Sequence, residues 1–353
     1  MVLDKIDLGY EAVTVVNRTQ DYHYPFDLAF FLTALLIMTL VLLVLAASCT
    51  KSFRHHPTIG AFSVQKSLTI FKYNPDSRLN VFNGVKSLSM MWVIFGHVYS
   101  LSINFSTNSF TFEKNQLSGW YALLLEAALF SVDTFFFLGG FLVAYAVLKD
   151  NSLNLVKYPL AILNRYLRFF PSYLMAILIF YCFLLHMTWG PFSGLSDSSI
   201  VACRAIWRPL LFVDNLVDNG ENMCMGWGWY LQNDMQMFIY SMLILVIYNS
   251  SRFWSIISIY LSISISYAYV FQQTFDNQYK FYTHLSDAAN GEDYQLNIYY
   301  KPWARCPPYL FGLFLGILYH EFLMEERKKE EGKHFFLTLK KKFAESHWFR
   351  RGF

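Results

Sequence analysis

The chain has 353 residues, 55% hydrophobic and only 15% charged, whereas a soluble globular domain carries about 25% charged residues; the pair of soluble domains that its length would allow is excluded. Its 35 Phe, 24 Tyr and 9 Trp suit lipid-facing surfaces and interfacial belts, so the composition is that of a polytopic membrane protein. The net charge of +3 carries no nucleic-acid signal, and its meaning lies in where the basic residues fall.

Residues 1–26 contain no apolar core like that of a cleavable signal peptide and are too acidic for a transit peptide, so the first membrane helix is expected to serve as its own insertion signal. Apolar runs follow at 27–47, 81–103, 119–148, 169–190, 229–249, 253–272 and 302–322. Each can span about 30 Å of hydrocarbon. The expected fold is an all-α transmembrane bundle of about seven helices. The longest run, 119–148, is expected to tilt or to begin as an interfacial segment. There is no internal repeat and no low-complexity tract.

Loop charges give an orientation. Lys51, Arg54, Lys66, Lys72 and Arg78 face one acid, Asp76, between the first two runs; Lys149, Lys157, Arg165 and Arg168 face Asp150 after the third. Arg252 follows the fifth run, and the segment after the seventh holds nine Lys and Arg against five Glu. These segments all fall on one side of an alternating bundle. The other side is acidic or nearly neutral: 191–228 sets Arg204 and Arg208 against Asp197, Asp214, Asp218 and Glu221, and 273–301 sets Lys280 and Lys301 against Asp276, Asp287, Glu292 and Asp293. The positive-inside rule then places the N-terminus outside and the C-terminus inside.

Cys203 and Cys224 share the long outer loop, a connection of 38 residues that needs a staple. An outward compartment is commonly oxidising, which favours a disulfide between them; two free thiols are the alternative. No metal site is expected, because neither cysteine belongs to a CxxC pair and no His lies in the loop. Asn17-Arg18-Thr19 and Asn104-Phe105-Ser106 are glycosylation sequons on the expected outer face. They matter only in the secretory pathway.

The second run, FNGVKSLSMMWVIFGHVYS at 82–100, carries Lys86 and His97. Eleven residues separate them, which on a helix is roughly 20° around and roughly 16 Å along the axis. They share a face at different depths. Ionisable groups inside a bilayer usually face a polar cavity and mark a functional path. The plainer reading is that Lys86 snorkels to an interface while His97 is a hydrogen-bonded packing residue. Asp133, near the middle of the third run, and Glu126 before it are carboxylates that need partners if buried, and His97 or Lys86 is the natural one. Asp133 either orients the imidazole or forms a structural pair. Asp234 follows Trp227 and Trp229, where an interfacial role is at least as well supported as substrate contact. Arg305 before Pro307 and Pro308 either lines a pocket or caps the helix entry, and the second is favoured because Pro suits a first helical turn.

Four blocks resemble the acyltransferase 3 family, specifically its nose-resistant-to-fluoxetine-like branch, over about residues 60–320. The first is the 82–100 segment with its basic residue and following His. The second is SVDTFFFLGGFLVAY at 131–145, and the third NRYLRFFPSYLMAI at 164–177. CMGWGWYLQNDMQMFIYS at 224–241 and YKPWARCPPYLFGLFLGIL at 300–318 together form the fourth. The resemblance implies a multi-helix enzyme that moves an acyl group from a coenzyme A thioester to a hydroxyl. It makes His97 the candidate general base, with Asp133 beside it, since a hydroxyl must lose its proton as it attacks and an imidazole titrates near neutrality. Lys86, Arg165 and Arg168 are then candidates for holding the phosphates of the acyl-CoA donor; inner-side anchoring is the alternative for the two arginines.

The sequence departs from the family in three places. Lys86 replaces the commoner Arg and loses its bidentate fork; Gly139 stands where Ser is common; and family members usually continue through about four further helices beyond the Pro-Pro-Tyr-Leu block. The reading therefore carries an alternative: a catalytically degenerate scaffold serving as a lipid-contacting subunit of a larger membrane assembly, such as a mitochondrial respiratory complex. The expected partners are membrane lipids and a protein that completes the bundle, with no nucleic acid. The organelle stays open between the mitochondrial inner membrane and the secretory pathway. The chain divides on this reading into a tail at 1–26, a first helix and linker at 27–59, the acyltransferase-like region at 60–322 and a basic tail at 323–353. The last suits an amphipathic helix lying on the membrane or docked on a partner.

Overall fold

The computed structural model describes residues 26–70, 79–104, 111, 124–125, 127–150, 157–184, 202–279 and 293–345, with backbone alone at 70, 100–104, 150, 184 and 330–345. Glu126, the sequon at Asn17 and the last eight residues lie outside these. Every regular element among the described residues is a helix. The long ones are α1 (Leu28–Cys49), α2 (Asn80–Asn104), α3 (Ala128–Asp150), α4 (Lys157–Ile179), α5 (Trp229–Ser250), α6 (Arg252–Asn277) and α7 (Pro302–Glu345).

Four of them are long and apolar enough to cross a membrane: α1, α3, α4 with its extension to Phe183, and α6. The chain is thus a multi-pass membrane protein. Helices α2, α5 and α7 occupy the other expected runs but are more polar. Gln232, Asn233, Asp234 and Gln236 crowd the first two turns of α5, and the second half of α7 is charged.

The chain forms two compact units, residues 1–66 with 178–196 and residues 67–177 with 197–353. In the first, α1 starts at Asp27, whose carboxylate accepts from the Phe30 N–H at 2.8 Å and so satisfies one of the free donors of the first turn. Only Thr33 and Ala47 of α1 are buried. Thr33 Oγ1 donates to Cys182 Sγ at 3.3 Å, and Phe30 lies 4.9 Å from Phe183. At the other end the Val64 N–H and Gln65 Nε2 reach Ser48 Oγ and the Ser48 carbonyl, both at 3.1 Å, folding the following segment back onto α1. The remaining apolar face of α1 is left for lipid.

In the second unit, α3 and α7 form the central contact and run parallel. Their register follows from Asp133 beside Arg305, Gly140 against Tyr309, and Tyr145 with its ring 5.8 Å from Tyr319. Small residues permit the approach: a Cβ on Gly140 would overlap the Tyr309 carbonyl, and one on Gly312 would overlap the Phe137 carbonyl. Gly316 meets Phe141 and Ala144 in the same way, so Gly312 and Gly316 form a small-xxx-small stripe of the kind that packs membrane helices at close range.

The other helices take alternating directions. Gly96 of α2 abuts Ala128 while Phe82 lies 5.0 Å from Phe141, so α2 is antiparallel to α3. Tyr158 OH donates to the Ile239 carbonyl at 3.1 Å and Gln232 reaches Tyr173 OH at 3.5 Å, so α4 is antiparallel to α5. Ser266 Oγ donates to the Ala304 carbonyl, and Tyr260 lies 6.0 Å from Phe314, so α6 is antiparallel to α7.

Helix α7 begins with a local problem and its solution. Pro307 and Pro308 have no N–H to give to the carbonyls of Trp303 and Ala304 four residues back. Cys306 Sγ donates to the first at 3.4 Å and Ser266 Oγ to the second at 3.4 Å, so both freed acceptors are satisfied inside the bundle. The whole of α7, Pro302–Glu345, is continuous over 44 residues, about 66 Å at 1.5 Å per residue. The charged segment after 322 continues the last helix through Glu345.

Candidate active site

The head of the second unit, where α3, α5 and α7 begin, is polar. Helix α3 starts at Ala128, nine residues into the expected 119–148 run, which puts Asp133 in its second turn instead of near mid-span. Asp133 Oδ1 lies 2.8 Å from Arg305 Nη2 of α7. The partner expected from the sequence, His97 or Lys86, is replaced by a cation that the sequence reading had assigned to a helix start. Arg305 is 7% exposed, and its guanidinium lies 4.7 Å from the Tyr299 ring and 6.0 Å from that of Trp229. Trp229 and Tyr299 are both buried and 4.5 Å apart.

About one helical turn deeper lies a second pair. Arg165 of α4 donates to Asp234 Oδ2 of α5 at 2.5 Å while its guanidinium covers the Phe238 ring at 4.2 Å. Asp234 is therefore a buried ion-pair partner and not an interfacial anchor. Arg165 is correspondingly neutralised, whereas Arg168 in the next turn is exposed. A Cβ on Gly139 would stand 3.4 Å from the Tyr309 ring and 3.6 Å from Asp234 Oδ1. A Ser would fit there with its hydroxyl near the carboxylate; the Gly leaves Asp234 to Arg165.

A hydrogen-bonded cap folds over the start of α5. Cys203 and Cys224 are joined by a disulfide with a Cα–Cα distance of 4.3 Å. The Cys224 N–H donates to Asp214 Oδ2 at 2.9 Å. Asn215 Nδ2 donates to Asn233 Oδ1 at 2.7 Å and to the Tyr300 carbonyl at 3.0 Å, and the Asn215 N–H donates to Gln232 Oε1 at 2.6 Å. Lys301 Nζ closes the cap by donating to the carbonyls of Asn215 and Asn219 at 3.1 and 3.0 Å. Phe212, at φ 58°, is held in the left-handed region by Gln236 Nε2 on its carbonyl at 2.7 Å and by stacking on Tyr173 at 5.5 Å. Burial pushes the Asp214 carboxyl above its usual range despite the Cys224 N–H and Arg208, and it pushes the Lys301 ammonium down. Much of the Trp-Tyr-Leu-x-x-Asp-Met-Gln block thus builds the cap.

His97 stands one residue past the point where Gly96 meets Ala128, at the same head of the unit as Asp133. It is exposed, and among the described residues no hydrogen bond or ion pair reaches it. Lys86 is half-buried farther along α2, again without a carboxylate partner among the described residues. The structure brings Asp133 to Arg305 and Arg165 to Asp234; it joins neither pair to His97. Among the described residues no cluster of His, Cys, Asp and Glu is built to hold a metal ion.

Sequence reasoning missed Trp229 and Tyr299 and favoured the helix-start reading of Arg305 over the pocket one. The available signal was a cation next to two prolines in an apolar run, ahead of the Gly312 and Gly316 spacing that marks a helix partner.

A multi-pass helical unit with polar groups gathered at one end fits a family of membrane acyltransferases. The acyltransferase domain of the acyltransferase 3 family matches residues 79–336, and the chain belongs to that family. Within it, the chain is similar to nose resistant to fluoxetine protein 6 of Caenorhabditis elegans, at 28% identity over 280 residues. That match covers 72% of this chain and 33% of the relative, so the chain spans about a third of the length of the curated protein it matches. No solved structure matches.

Proposed function

We propose that this protein is a membrane O-acyltransferase that moves an acyl group from an acyl-CoA-type thioester to a hydroxyl acceptor. The observation that supports the reading is the family domain over 79–336, within which His97 of α2 follows the Gly96–Ala128 contact. In this reading His97 takes the proton of the acceptor hydroxyl as its oxygen attacks the thioester carbonyl. The carbon–sulfur bond then breaks, and the imidazolium returns the proton to the departing thiolate. Asp133, held by Arg305, contributes at the acceptor side rather than by orienting the imidazole. Lys86 and Arg168 supply the uncompensated positive charge for the donor's phosphates, because Arg165 is matched by Asp234. The N-terminus lies outside and the positively charged loops inside, with lipid covering the apolar helix faces.

The donor assignment has a direct test. Replacing Lys86 and Arg168 together by Gln is expected to raise the KM for acyl-CoA by about tenfold or more, with a smaller change in kcat, as loss of charge-assisted phosphate contacts requires. An unchanged donor KM in that variant removes both residues from donor binding.

A further inference from the structure

The Asp133–Arg305 pair does not close on itself. Buried charges persist where the remaining donors and acceptors are also satisfied. Arg165 and Arg208 each give one aligned hydrogen bond to a carboxylate, at 2.5 and 2.8 Å. Lys301 gives two to carbonyls. Arg305 differs in its Nη2, which stands 2.8 Å from Asp133 Oδ1 while both atoms are buried without a hydrogen-bond partner among the described residues; its Nε is open as well, as are those of Arg165 and Arg208. Two open donors and one open acceptor therefore lie side by side. The Asp133 side chain keeps 23% exposure against 8% for that of Arg305, so the carboxylate is the more exposed side of the pair, while the three open atoms themselves are buried.

We infer that this pair, walled by Trp229 and Tyr299, is a binding site for an uncharged hydroxyl group. The ligand oxygen accepts from Arg305 while its O–H donates to Asp133 Oδ1, which satisfies all three open atoms at once. An anion would meet the Asp133 carboxylate and a cation the Arg305 guanidinium, each at the cost of desolvation, so charge selects a neutral group. The faces of Tyr299 and Trp229 would cover the C–H surface around the hydroxyl. The inference deepens the acyl-transfer reading and rests on it only in naming this ligand the acceptor. Two sources share this chemistry: a polyol from the aqueous side and an alcohol presented by the membrane.

The test is ligand-induced stabilisation of the full chain in nanodiscs, which needs no turnover. Glucose and myo-inositol serve as aqueous probes, and nanodiscs with graded diacylglycerol or cholesterol as membrane probes. The comparison is with the Asp133→Leu/Arg305→Met variant, which removes both charges together. One arm is expected to raise the melting temperature of the wild type saturably, with a midpoint at least tenfold higher in the double variant; the responding arm identifies the source. Should that variant fail to fold, Arg305→Lys, which keeps the charge and loses the fork, is expected to show the same tenfold weakening. Identical responses of wild type and variants to every probe overturn the inference. An inactive wild type with saturable, pair-dependent binding would instead remove the acyl-transfer reading and leave the site standing.

Discussion

On the proposed mechanism, His97→Ala is expected to lower acyl transfer by roughly 10²- to 10⁴-fold, the loss that follows removal of a positioned general base. The same change leaves the fold nearly untouched, because His97 is exposed and makes no hydrogen bond among the described residues. Surface substitutions of this kind shift stability by no more than about 0.5 kcal/mol. The two readouts therefore separate chemistry from structure: yield and melting temperature stay at wild-type values while kcat falls. Turnover like that of the wild type would take His97 out of the mechanism.

Gly312→Val separates α3 from α7 and destabilises the protein by about 1–3 kcal/mol or more, as overpacking does in a well-filled core. A Cβ at 312 meets the Phe137 carbonyl, which is backbone and cannot rotate aside. The same two helices carry Asp133 and Arg305, so acceptor binding should fail with the packing. Two nearby glycines are controls. Gly139→Ala meets only ordinary contacts, the nearest at 3.4 Å, and Gly84→Ala meets nothing within 4 Å. Alanine at Gly84 of α2 should even stabilise by up to about 1 kcal/mol, because glycine is a poor helix former. Melting curves of the purified variants check the series; a Gly312→Val protein that melts like the wild type would contradict the packing described.

Much of the architecture was legible in the sequence because membrane helices announce themselves by length and hydropathy. The positions of α1, α2, α5 and α6 follow the apolar runs, and α2 with α3, α4 with α5 and α6 with α7 run antiparallel. Helix α4, however, begins at Lys157, twelve residues ahead of the expected 169–190 run, so Arg165 and Arg168 lie inside a helix and not in the loop before it. Hydropathy does not mark where within the 119–148 run α3 begins, so Asp133 was placed near mid-span, whereas it lies in the second turn from Ala128. Its partner was misjudged for a different reason. Sequence reasoning pairs a carboxylate with a cation on a neighbouring run, whereas Arg305 lies 172 positions away and reaches Asp133 only through the parallel contact of α3 with α7. The spacing of Gly312 and Gly316 could have signalled a close helix contact, though not which helix makes it. The Asn215 network was illegible for the same reason, since its members come from the outer loop, α5 and the segment before α7. The family resemblance was carried by short blocks, several of whose polar residues prove to be structural.

Transfer of a radiolabelled acyl group from acyl-CoA by the purified full chain in liposomes tests the central claim most directly. The expected result is label in a hydroxyl ester, one free coenzyme A thiol released for each acyl group transferred, and loss of both in His97→Ala. Absence of label in any acceptor, or equal transfer by wild type and His97→Ala, would contradict it.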